Sequence, residues 1–210
     1  MQSNIGIQPL AQKTAPRLMP SVRPHAGYRD DIMAICAVNY PTISSGDYEW
    51  IQSIRREHDA LFFDVVRPHF TLVFPTENVE KSEFIAHVAE VAKRISPFDV
   101  VLRCAILGDP SFMDHAHAFL VPDEGFSDVV RLHDALYTGP LRAELRLDLP
   151  FIPHIGVAST PRIAECKAIV DDLNSKGFEI HARVEKLDII GYDGNRTWTI
   201  EECALGRATA

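Results

Sequence analysis

"RPHFTLVFP", residues 67–75, is a β-rich apolar run bracketed by Pro68 and Pro75, the composition of a buried strand. Yet His69 and Thr71 stand two apart, and the pleat of a strand turns both to one side. An imidazole and a hydroxyl on one face of an apolar strand need something polar to meet. Further along, residues 151–159 read "FIPHIGVAS", once more proline, histidine and then an apolar strand. Pro68-His69 and Pro153-His154 therefore mark the openings of two similar units.

The segments downstream of the two openings support a duplication. After the first, residues 78–96 have helical spacing through Phe84, Ile85, Val88, Val91 and Ile95, and the runs 98–107 and 115–122 have strand composition. After the second, residues 160–178 place Ile163, Cys166, Ile169, Val170 and Leu173 on one helical face behind a Thr-Pro start, with Gly177 as the stop. The stretches 179–192 and 196–205 then read as a strand pair around "YDGN". Strand, helix, strand, strand thus occurs twice, with similar spacing from His69 to Phe98 and from His154 to Ile180. Ahead of the first unit, 31–39 reads as a buried strand, followed by a helix from about Gly46 through Trp50, Ile51, Ile54 and Leu61. Between the units lie a helix at 126–137 and a loop at 138–150 that carries Arg142 and Arg146.

Two copies of one unit commonly pack about a pseudo-twofold axis, which brings their equivalent strands face to face across a central cleft. That symmetry sets His69 opposite His154. Two facing imidazoles suit phosphoester chemistry near neutral pH, because one can take a proton from the attacking group while the other gives one to the leaving oxygen. Thr71, on the face of His69, is a candidate donor to a phosphate oxygen between them.

Composition narrows the rest. With 210 residues and 46% hydrophobic content the chain can bury one sizeable core. Residues 1–27 contain four prolines and no apolar period, and are expected to form a flexible tail ahead of a single two-lobed domain over 28–210. Lysine and arginine number 21 against 29 acidic residues, a net charge of −8, which disfavours a long phosphate-tracking surface and leaves a small or locally held nucleic-acid partner. No spanning segment or signal pattern is evident, so no membrane partner and a cytoplasmic location are expected. Cys36, Cys104, Cys166 and Cys203 are scattered without CxxC pairing, mostly in apolar contexts, and read as reduced core thiols.

"His69-Phe70-Thr71-Leu72" and "His154-Ile155-Gly156-Val157" resemble the two HxTx signatures of the 2H phosphoesterases, and more narrowly their bacterial 2'-5' RNA ligase-like, 2',3'-cyclic phosphodiesterase branch, over about residues 31–205 in element order. The resemblance implies a bilobal α+β fold, a pseudo-twofold duplicated unit with antiparallel sheets lining the cleft and helices outside, and metal-independent opening of cyclic phosphates on nucleotides or RNA ends, with His69 and His154 as general acid and base and the motif hydroxyls as phosphate donors. One position departs from the family pattern: Gly156 stands where a threonine or serine is usual. That departure keeps a weakly active or non-catalytic module for nucleotides or RNA ends in view, beside 2'-5' RNA ligase activity. Arg67, Arg142, Arg146 and Tyr192 are candidate contacts to an anionic nucleotide, and Phe112 and Trp198 are further rings on which a base can stack. His115 and His117 share a strand face, but no acidic or cysteine pattern completes a metal set, so neither metal nor other cofactor is expected. Oligomeric state is not legible.

Overall fold

The computed structural model describes residues 34–108 and 114–206, all within one compact unit spanning Ile32–Ala210. The tail expected at 1–27 and the ring of Phe112 lie outside the described residues. In chain order the elements are β1 (Ala34–Asn39), β2 (Thr42–Ile43), α1 (Ser45–His58), β3 (Phe70–Thr76), α2 (Lys81–Ala92), β4 (Phe98–Leu107), β5 (Ala116–Glu124), α3 (Phe126–Leu136), β6 (Ile155–Thr160), α4 (Ile163–Lys176), β7 (Ile180–Val184), β8 (Lys186–Tyr192) and β9 (Thr197–Ala204). Within the loop expected at 138–150, a 3₁₀ turn occupies Gly139–Glu144.

Local chemistry accounts for the helix ends. Ser44 caps α1 by accepting from the Asp47 N–H at 3.1 Å, and the helix stops at His58, short of Leu61. Gly177, with φ of 67°, closes α4 where a glycine stop was expected. Gly125, with φ of 75°, precedes α3; a Cβ there would lie 2.4 Å from the Asp99 carbonyl oxygen.

The strands form two antiparallel sheets, one ordered β3-β1-β8-β9 and the other β2-β7-β4-β5-β6. The duplicated units do not each build a sheet of their own. β3 of the first unit shares a sheet with β8 and β9 of the second, while β6 of the second shares a sheet with β4 and β5 of the first. The run 179–192, which composition reads as one strand, makes this exchange: β7 pairs with β4 in one sheet, and after Glu185 β8 pairs with β1 in the other. Helix α2 packs on the first sheet, α1 and α4 on the second, and α3 touches both, through β3 and β5.

Alternation sorts each strand between the helix-covered core and the cleft. Ile35 and Ala37 of β1 join the main core with Phe70, Leu72, Leu120, Ile155 and Leu187, whereas Cys36, Val38 and Ile190 form a separate apolar cluster on the other face. The strands that follow the two Pro-His openings, β3 and β6, are both sheet edges. An edge tolerates Pro75 within β3, since a proline lacks the donor that a central strand needs; nearby, the Phe74 N–H finds the Tyr137 hydroxyl at 3.0 Å.

Candidate active site

His69 and His154 each stand one residue before an edge strand, and the backbone treats them alike. Nδ1 of His69 meets the Arg67 carbonyl at 2.7 Å, and Nδ1 of His154 meets the Ile152 carbonyl at 2.6 Å. A carbonyl accepts only, so each Nδ1 carries the hydrogen and each Nε2 keeps a lone pair in the neutral ring. The Thr71 hydroxyl donates to Nε2 of His69 at 3.0 Å. No side chain occupies the equivalent position beside His154, which is Gly156, and a Cβ built there meets nothing within 4 Å.

These residues line one cavity of about 310 Å³ between the sheets, with Tyr192, Phe74 and Val38 from one side and Phe119, His117 and Ala158 from the other. The walls are largely apolar, and the two rings sit where solvent is thin. Burial is the main cause that pushes both imidazoles down to about 4; the carbonyl bonds resist the shift, while Arg55 and His154 add to it for His69 and His117 adds to it for His154. This differs from the near-neutral titration that the residue type alone implies: in the free protein both rings are uncharged at pH 7. Cys36 also lines the cavity, but burial raises its thiol to about 12, far from a nucleophilic thiolate.

Of the other residues singled out in the sequence, Tyr192 reaches the cleft and its hydroxyl donates to the Gly194 carbonyl at 3.3 Å. Arg67 lies over the Tyr40 ring at 4.0 Å and lines an adjoining pocket of about 250 Å³ rather than the central one. Arg142 and Arg146 do not line the cleft: Arg142 is exposed on the 3₁₀ turn, which packs against α2, and Arg146 makes a two-pronged pair with Asp148 at 2.8 and 2.6 Å. The indole of Trp198 packs over Gly191, where a Cβ would lie 2.4 Å away, with Arg196 on its ring. Cys104 is exposed, so three of the four cysteines are core thiols as expected. Among the described residues, no group of three or more His, Cys, Asp and Glu side chains could hold a metal ion.

Sequence reasoning missed the support beneath the site. Arg55 of α1 is buried, and its guanidinium donates to Asp59 Oδ2 at 3.1 Å, to the Phe62 and Val66 carbonyls at 2.9 and 2.8 Å, and to Gln52 Oε1 at 3.0 Å. The second oxygen of Asp59 accepts from Ser159 of β6 at 2.7 Å. One ion pair thus fixes the segment that leads into His69 and ties it to the strand that begins after His154. An arginine and an aspartate four apart at a helix end gave the only local signal, and such pairs are usually solvated.

The two-sheet antiparallel α+β fold is similar to that of solved bacterial proteins. The Escherichia coli LigT structure complexed with 3'-AMP is 16% identical at a TM-score of 0.55, covering 82% of this chain and 98% of that one. The TT0787 structure of Thermus thermophilus is 15% identical at 0.55, covering 83% and 99%. Residues 44–196 match the model of the 2'-5' RNA ligase superfamily, and the chain belongs to that superfamily. It is also similar to a protein named as a phosphoesterase, OB1230 of Oceanobacillus iheyensis, at 24% identity over 158 residues, 74% of this chain and 89% of that protein. Membership supports phosphoesterase or RNA ligase-like activity. Among the described residues, no helix is long and apolar enough to cross a membrane.

Proposed function

We propose that the protein is a metal-independent phosphodiesterase that hydrolyses 2',3'-cyclic phosphates of nucleotides or RNA ends in the cytoplasm, with His69 and His154 as general acid and base. The observation that carries this reading is the mirrored pair: two imidazoles at matching edge-strand openings, each with its Nδ1 bound to the carbonyl two residues earlier, lining one cavity. One neutral Nε2 takes a proton from water as its oxygen attacks phosphorus. The bond from phosphorus to one ribose oxygen breaks, and the other ring, as imidazolium, gives that oxygen a proton, leaving a phosphomonoester and a free hydroxyl. Two neutral rings await an anion: a bound phosphate favours protonation of the ring that faces it and so charges the acid when substrate is present. The Thr71 hydroxyl, held on His69 in the free protein, turns to a phosphate oxygen. A nucleoside phosphate suits a cavity of about 310 Å³, and the fold relative from Escherichia coli was solved with 3'-AMP. An RNA 5'-hydroxyl in place of that water would give ligation by the same proton transfers: its oxygen bonds to phosphorus, the bond from phosphorus to the 3'-oxygen breaks, and a 2'-5' phosphodiester and a free 3'-hydroxyl result.

The test is turnover of 2',3'-cyclic nucleotides in excess chelator by wild type, His69→Ala and His154→Ala. Wild-type turnover with a loss of at least roughly a hundredfold in each variant is expected from removing one proton-transfer partner. Retained activity in either variant would remove the acid and base assignment.

A further inference from the structure

His117 is a third histidine of the cleft, and the proton transfers between His69 and His154 give it no role. It lies on β5, is 6% exposed, and lines the cavity that holds His69 and His154. Among the described residues its Nε2 is buried without a hydrogen-bond partner. Asn39 and Asp188 also have buried polar atoms without a hydrogen-bond partner among the described residues, but Asp188 is ion-paired with Lys186 at 3.4 Å and neither residue lines this cavity. Buried polar groups are nearly always satisfied, so an orphan nitrogen at the floor of a binding cleft marks the place of a ligand atom.

The surroundings say what kind. The imidazole lies nearly parallel to the Phe119 ring, 5.8 Å between centroids at 9°, and 6.4 Å from the Phe62 ring. Phe119 in turn stacks on His154 at 3.8 Å, which separates His117 from the reacting pair. Ser159, its register partner on β6, has its hydroxyl committed to Asp59. Val65, Val66 and Ala158 add apolar wall, and Arg55 and Asp59, which line the same cavity, are committed to each other, to the Phe62 and Val66 carbonyls and to Ser159. A flat group with an apolar face and a polar edge fits there, whereas a ribose or a second phosphate finds few polar partners. Cavities of about 300 Å³ are at the small end of ligand pockets, which suits one nucleotide rather than a longer segment.

We propose that His117 is a specificity-determining residue: its Nε2 hydrogen-bonds the polar edge of the nucleobase of a bound nucleotide whose phosphate lies at His69 and His154. This rests on the reading of the cleft as a nucleotide site. Burial keeps the ring neutral at pH 7, and the neutral ring offers either an acceptor or, in the other tautomer, a donor at Nε2. A base that matches the tautomer gains a bond; one that does not leaves two buried groups unsatisfied.

The experiment compares wild type, His117→Phe and His117→Gln on the four 2',3'-cyclic nucleoside monophosphates and on base-free methylribose 2',3'-cyclic phosphate, and measures calorimetric affinity for the four nucleoside 3'-monophosphates. Wild type is expected to favour its best nucleotide over the base-free substrate by roughly tenfold or more. In His117→Phe, which keeps an aromatic ring and removes both nitrogens, most of that advantage is lost, roughly tenfold and mainly in KM, and the four bases become nearly equivalent. His117→Gln re-orders the bases. If His117→Phe fails to fold, the ¹⁵N ring shifts of His117 in wild type decide: 3'-nucleotides move them and inorganic phosphate does not. Equal losses on base-bearing and base-free substrates, an unchanged order of bases, or ring shifts that phosphate alone reproduces would overturn the assignment. Should wild type turn over no cyclic nucleotide, the phosphodiesterase reading falls by itself. The 3'-nucleotide affinities still judge His117, since a base preference lost in His117→Phe upholds it, and no binding or an unaltered preference refutes it.

Discussion

Gly156→Thr tests the point at which the two halves of the site differ. Position 156 lies on β6 opposite Phe119, two residues beyond His154, as Thr71 lies two beyond His69. A Cβ at 156 meets nothing within 4 Å and the residue needs no left-handed backbone, so a threonine enters open space in the cleft without strain. Its hydroxyl would offer a phosphate a second donor beside the one proposed for Thr71. A hydrogen bond to a charged group is worth about 1.5–3 kcal/mol, and about 1.4 kcal/mol is tenfold in rate, so kcat/KM should rise roughly ten- to a hundredfold if the bond tightens in the transition state. Stability should hold or rise, because glycine in a strand costs about 0.5–1 kcal/mol of backbone entropy. The assay is steady-state hydrolysis of 2',3'-cyclic AMP by wild type, Gly156→Thr and Gly156→Val, the last having the same branching without the oxygen. Threonine should gain over glycine, and valine should not. A stable Gly156→Thr protein with turnover below wild type would refute the reasoning and show that substrate needs the space.

Thr71→Val should lower kcat/KM by roughly ten- to a hundredfold while the melting temperature changes little, since the hydroxyl is lost and the shape kept; an unchanged rate in the steady-state assay would discard it as a phosphate donor. Arg55→Met leaves Asp59 buried without its cation and should cost about 3–5 kcal/mol in urea unfolding, whereas Arg55→Met with Asp59→Leu should recover much of that stability but not the turnover. A double variant with full activity would show that the pair does not position the histidines. Both cleft imidazoles titrate at about 4 when folded against ~6.5 when unfolded, so between those values the unfolded chain binds more protons. Stability contributed by the neutral rings is therefore complete above about pH 6.5 and lost as pH falls toward 4; the urea midpoint should drop across that window, and less steeply in His69→Gln/His154→Gln. Equal slopes would refute the shift. By the same token kcat/KM, which reports the free enzyme, should peak on the acid side of neutrality, and kcat, which reports the anion-bound complex, at higher pH; superimposed profiles would exclude charging by substrate.

The sequence makes the repeat, the two Pro-His openings and most helix bounds legible, because each rests on residues close together in the chain. Gly177 as a stop and the apolar face through Cys166, Val170 and Leu173 are of this kind. The exchange of strands between sheets is not, since the change at Glu185 is decided by which partners β7 and β8 find, in β4 and β1, far away in sequence. Arg142 and Arg146 look like anion ligands by type, but a 3₁₀ turn and a neighbouring Asp148 take them elsewhere. His117 looks by spacing like half of a metal pair with His115, and only the register of β5 on β6 shows that it belongs beside Phe119 in the cleft. Gly156 is visible as a departure from the motif; that the missing side chain opens onto empty space is a property of the opposite wall.

The crossing of the two units between sheets has a consequence during synthesis. A ribosome that has delivered residues only as far as β6 has made β1 and β3, but the other long edge of β1 stays open until β8 arrives. That edge carries Ile35, Cys36, Ala37 and Val38, an apolar template of the sort that captures neighbouring chains. A truncation before β8 therefore leaves neither a smaller enzyme nor an independent lobe. It leaves a sticky strand, and the nascent chain depends on its last segment both to close the cleft wall and to stay out of aggregates.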